Sequence, residues 1–162
     1  MVSRSDATTS TQYLSPEYRD LQRELRGSSR AATLVTFHGG SRQAMRAAAR
    51  EFAESLGRPL QSVELSRVVS KYIGETEKNL RAVFEEASRS GAVLFFDEAD
   101  SLFGSRTPVT DSHDRYSNQE TSILLSAIED FPVIVVVAVN GPEPVTRPKK
   151  RLKHARVRLR PK

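Results

Sequence analysis

The chain has 162 residues, enough for one domain with a real core, and its 38% hydrophobic and 28% charged content is ordinary for a globular protein. The absence of cysteine excludes a disulfide framework and any thiolate metal site, and the longest apolar run, near Pro132 to Val139, is far too short to cross a bilayer. The formal net charge of +5 is concentrated at one end: Arg147, Lys149, Lys150, Arg151, Lys153, Arg156, Arg158, Arg160 and Lys162 follow one another with no acid among them. The polar amino terminus has no apolar signal core, so the expected compartment is the cytoplasm.

In chain order, Met1 to Thr11 is rich in Ser and Thr. Ser15-Pro16-Glu17 then reads as a helix start, and Leu14, Tyr18, Leu21 and Leu25 share one stripe that Gly27 ends. The plain reading is a helix packed on the core; the sharper one is a docking helix for a neighbouring subunit. Thr33 to Phe37 reads as a strand, and Arg42 to Leu56 as a helix ended by Gly57-Arg58-Pro59. Leu60 to Leu65 is a second strand, and Glu75 to Ser90 a helix with Leu80, Val83, Phe84 and Ala87 on one face. Val93 to Phe96 is the third strand, Tyr116 to Ile128 a helix and Val133 to Val139 the fourth strand. Ala155 to Leu159 alternates apolar residues with arginine, as an edge strand would. Strands separated by helices imply parallel pairing. The expected organisation is a polar segment with a short amphipathic helix over 1–30, a core over 31–146 and a basic segment over 147–162.

The chemistry is concentrated at Val93-Leu94-Phe95-Phe96-Asp97-Glu98-Ala99-Asp100. An unbroken apolar run reads as a strand buried on both faces, and acids at its carboxyl end lie where open α/β sheets place ligands. One such acid can hold Mg²⁺ and the next can polarise an attacking water. Persistence of these acids as a mere helix cap is the plain alternative. Upstream lies Val68-Val69-Ser70-Lys71-Tyr72-Ile73-Gly74-Glu75-Thr76-Glu77-Lys78-Asn79-Leu80, and downstream Asp111-Ser112-His113-Asp114-Arg115-Tyr116-Ser117-Asn118, then a strand ending at Asn140.

Together these segments resemble a AAA+ ATPase core from about Thr33 to Asn140, with wording closest to bacterial AAA+ proteins found beside contractile injection systems. The resemblance implies a three-layer α/β P-loop NTPase core with a mostly parallel five-stranded sheet, and the chain stops at Lys162, before the family's C-terminal helical lid. It implies ATP and Mg²⁺ as cofactors, Asp97 as the metal-binding Walker B acid, Glu98 as the base and Asn140 as the sensor that orients water. Asn140 also reads as the opening of an Asn140-Gly141-Pro142 turn. Arg151, with Lys150, falls near the family's arginine finger, although general basicity of the segment explains both. Tyr72, Ile73 and Gly74 resemble the loop that grips a threaded polypeptide; Tyr72 covering its own core is the alternative. The implied partners are other AAA+ subunits or a protein substrate. The basic segment could bind nucleic acid, but no aromatic residues interleave for base stacking.

The phosphate loop is where the chain departs from the family. The pattern G-x-x-x-x-G-K-[ST] falls on Gly39-Gly40-Ser41-Arg42-Gln43-Ala44-Met45-Arg46. Met45 stands at the lysine position and Arg46 at the Mg²⁺-binding hydroxyl, while Arg42 and Ala44 replace glycines. Arg42 and Arg46 read either as solvated residues of a first helical turn or as anion ligands facing the old phosphate site. The expected function is therefore a degenerate AAA+ module, a pseudoenzyme with weak or absent ATP binding that acts through protein contacts. The alternatives are a working ATPase in a ring and a decayed gene product.

Overall fold

A computed structural model describes residues 16–27, 32–72, 74–97, 122–139 and 153–159. Uninterrupted β-branched and aromatic runs form its centre. β1 (Thr33–His38), β3 (Val93–Asp97) and β4 (Ile134–Val139) bury nearly every side chain on both faces, as strands covered from two sides must. β2 (Leu60–Glu64) and β5 (Lys153–Arg158) flank them in the order β2-β3-β4-β1-β5, and every pairing is parallel. The edge position of β5 agrees with its alternating sequence. Its six residues pair with β1 from Thr33↔Lys153 to His38↔Arg158.

Helices cover both faces. α1 (Pro16–Gly27) and α2 (Arg42–Ser55) lie on one, where Tyr18, Leu21 and Leu25 meet Met45, Ala48, Ala49 and Phe52 over Val35, Phe37, Phe95 and Val157. The Tyr18 ring sits 5.5 Å from that of Phe52 and 6.2 Å from that of Phe37, so α1 packs on the core. The other face carries α3 (Leu65–Val68), α4 (Glu75–Ser90) and α5 (residues 122–130), with Leu80, Phe84, Leu124 and Ile128 over Leu94, Phe96, Val135 and Val137. The result is the mostly parallel, three-layer α/β P-loop NTPase-like fold.

Most element boundaries lie within one or two residues of the sequence reading, and two of the differences bear on packing. Leu65 belongs to α3 and not to β2, because one helical turn buries Leu65 and Val68 together. α5 continues to Asp130, two residues past Ile128, and residues 116–121 lie outside the described residues. α4 ends where Gly91 takes φ +76°, a left-handed cap that glycine adopts without a Cβ penalty.

Candidate functional site

Parallel pairing brings the carboxyl ends of β1, β3 and β4 to one edge of the sheet, and two predicted site segments meet there. The chain leaves β1 through Gly39 at φ +87° and Gly40, and α2 begins at Arg42. Both glycines have a local steric reason. A Cβ on Gly40 would come within 2.9 Å of the Leu159 Cβ, and one on Gly39 within 3.1 Å of the Leu159 carbonyl oxygen. Leu159 is pinned there because its N–H donates to the His38 carbonyl at 2.8 Å.

Ser41 caps α2. Its hydroxyl accepts from the Ala44 N–H at 3.0 Å, and its carbonyl from the Met45 N–H at 2.9 Å. A phosphate cradle needs successive backbone N–H groups left free to converge on the anion. Two of the N–H groups that would contribute are here committed to Ser41, and helix runs through the segment that the family pattern assigns to loop.

The side chains divide by face. Met45 is 1% exposed, deep among the residues shared by α1 and α2. It therefore points away from the site, and the position the family pattern gives to lysine serves the core. Arg42 and Arg46, one turn apart, face the end of β3. The Nε groups of both donate to the same Asp97 oxygen, Oδ2, at 3.1 Å for Arg42 and 2.8 Å for Arg46. The Asp97 side chain is 14% exposed, against 49% and 53% for the two arginines. Two guanidinium groups thus enclose the one carboxylate that the sequence assigns to metal. Among the described residues, no group of three or more His, Asp or Glu could hold a metal ion.

Beside this cluster, a cavity of about 820 Å³ opens between the side of α2 and the β2 edge, reaching the ends of β2 and β3. Arg50, a further turn along α2, lines it with Arg42 and Arg46. The sequence reading placed Arg42 and Arg46 near the site but did not join them to Asp97, and it missed Ser41 as the cap and Arg50 altogether. Arginines at spacings of four, opposite a strand that ends in an acid, were the available signal.

Farther along, Tyr72 is 71% exposed and does not cover the core. Its turn is tied down by Ser70, whose hydroxyl donates to Glu75 at 2.6 Å and accepts from the Tyr72 N–H at 3.2 Å. Gly74 follows at φ +83°. Of the other predicted site residues, Ile73, Glu98, Asn140 and Arg151 lie outside the described residues.

The model of the family "ATPase family associated with various cellular activities (AAA)" matches residues 46–160, so the matched span starts at the last position of the phosphate loop. The chain is 43% identical over 74 residues to the uncharacterized AAA family ATPase y4kL of Sinorhizobium fredii, covering 46% of this chain and 22% of that protein. It is 36% identical over 80 residues to the cell division cycle protein 48 homolog of Archaeoglobus fulgidus, covering 48% of this chain and 11% of that one. It is 38% identical over 111 residues to the human ATPase family gene 2 protein homolog B, covering 64% of this chain and 14% of that one. The chain thus spans less than a quarter of the length of these relatives. A family match over most of the chain, on a parallel sheet with its candidate site at the carboxyl edge, makes this chain a member of the AAA ATPase family.

Proposed function

We propose that this chain is a AAA module with a degenerate phosphate loop, which binds Mg²⁺-ATP weakly or not at all and acts through contacts with other AAA subunits or a protein substrate. The observation that carries this reading is the double engagement of Asp97 Oδ2 by Arg42 and Arg46. Mg²⁺ needs near-octahedral oxygen ligands and prefers carboxylates, water and phosphate oxygens. At this site the carboxylate is neutralised by two fixed cations, and Arg46 offers no hydroxyl. The residues present do not fit Mg²⁺-ATP.

The expected loss is large. Each missing charged contact to phosphate weakens binding by about 1.5–3 kcal/mol, so two or three turn a micromolar site into a millimolar one. The proposed division is a polar segment with a short amphipathic helix over 1–30, the AAA core over 31–146 and a basic segment that carries an edge strand over 147–162, in a cytoplasmic oligomer. Bacterial assemblies related to contractile injection systems are the setting we propose to search for partners. Tyr72 on its exposed turn, with Ile73 and Gly74, is the proposed contact to a polypeptide, since an exposed aromatic can pack on substrate side chains.

Calorimetric titration with Mg²⁺-ATP tests the reading. No heat that requires Mg²⁺ is expected to saturate below millimolar ligand, and the Glu98→Gln variant should share the background ATPase rate of the parent. Turnover by the parent that Glu98→Gln abolishes would replace this reading with that of a working ATPase.

A further inference from the structure

We propose that Arg42, Arg46 and Arg50 form a metal-independent site for a phosphate group, in the cavity between α2 and the edge strand β2. Residues four apart stand on one helix face, so three arginines at that spacing make a continuous basic wall. They line one side of the cavity of about 820 Å³, while Ser62 and Ser66 supply hydroxyl groups to its lining. None of Gly39, Gly40 and Ser41 contributes to that lining. The site is therefore beside the phosphate loop and not over it, and it uses the side of α2, not its N-terminal amides.

The charge balance favours an anion. Among the described residues, the acids at the cavity are Asp97 and Glu64. Asp97 is shared between Arg42 and Arg46, and Glu64 accepts from Arg67 Nε at 3.1 Å. Arg50 makes no ion pair or hydrogen bond among the described residues. Like charges one turn apart repel; Asp97 relieves this between Arg42 and Arg46, and nothing among the described residues relieves it between Arg46 and Arg50. A phosphate oxyanion bridging those two would do so, and the planar guanidinium fork suits its oxygens. Since the cations are side chains, a divalent metal is not required.

Pyrophosphate and adenosine monophosphate, each titrated calorimetrically into the full chain in excess EDTA, test the proposal and separate its two sources of phosphate. Saturable binding of either is expected, weakening as salt rises. If only pyrophosphate binds, the site takes an inorganic anion; equal or tighter binding of the monophosphate assigns a phosphate monoester. Arg50→Ala should weaken binding about tenfold, while Arg23→Ala, at an exposed arginine of α1 that does not line the cavity, should leave it unchanged. Circular dichroism establishes that both variants fold. Absence of saturable heat, a requirement for Mg²⁺, or equal affinity of parent and Arg50→Ala would overturn the proposal. Mg²⁺-dependent ATP turnover would instead overturn the proposed function, so the two failures are distinguishable.

Discussion

Asp97 is mostly buried at the end of a central strand, and the chain satisfies it with its own cations. Removing its charge should leave Arg42 and Arg46 repelling each other with a weaker shared acceptor. Asp97→Asn is expected to destabilise the fold by about 1 kcal/mol, the low end for a charged hydrogen bond because both arginines are half exposed. Urea unfolding measures this, and an unchanged midpoint would mean the cluster contributes nothing. Tyr18 poses the opposite problem. Its hydroxyl is buried without a hydrogen-bond partner among the described residues, and burial, then the charge of Glu51, pushes its phenol far above the usual tyrosine range. The native state therefore keeps a proton that the unfolded chain releases above about pH 10. By linkage, this residue's contribution to stability is present below that pH and lost as pH rises further. Tyr18→Phe should flatten the alkaline fall of the urea midpoint and cost nothing near neutral pH. An identical alkaline slope in parent and variant would show that Tyr18 is not the responsible group.

Helix α2 is the element on which the site turns. Because it starts at Arg42, it places Met45 inward and both arginines outward in its first turns. Met45→Lys alone should not restore a phosphate ligand. It would put an ammonium into an apolar core, at a cost of about 3 kcal/mol or more, read as a fall in melting temperature. Replacing Arg42 and Ala44 by Gly, Met45 by Lys and Arg46 by Thr together should behave differently. Each glycine disfavours the helical first turn by about 1 kcal/mol, the arginines release Asp97, and threonine supplies a hydroxyl for Mg²⁺. The fourfold variant is expected to bind a fluorescent ATP analogue more tightly than the parent in the same Mg²⁺. Equal affinities for two folded proteins would place the defect elsewhere.

At the scale of the whole molecule, the basic C-terminal segment contributes a strand to the sheet. Val157 and Leu159 are buried, and Leu159 also walls the Gly39-Gly40 turn. Leu159→Ala should cost about 2–4 kcal/mol as a core truncation, and it should also loosen the start of α2. Faster hydrogen exchange at Ala44 and Met45 would report that coupling; a surface-like effect below about 0.5 kcal/mol would show that β5 is dispensable. The sequence by itself determined the strands, their parallel pairing, the edge position of β5 and the family, because buried runs and helical stripes are local patterns. The substitutions at 42, 44, 45 and 46 were equally legible. What they do was not. Whether an arginine meets solvent, an anion or an acid depends on the register between α2 and β3, and that is set by packing across 51 residues between Arg46 and Asp97. The inward turn of Met45 and the alignment of Arg50 follow from where the helix begins, at the Ser41 cap, just after the two glycines that turn against Leu159.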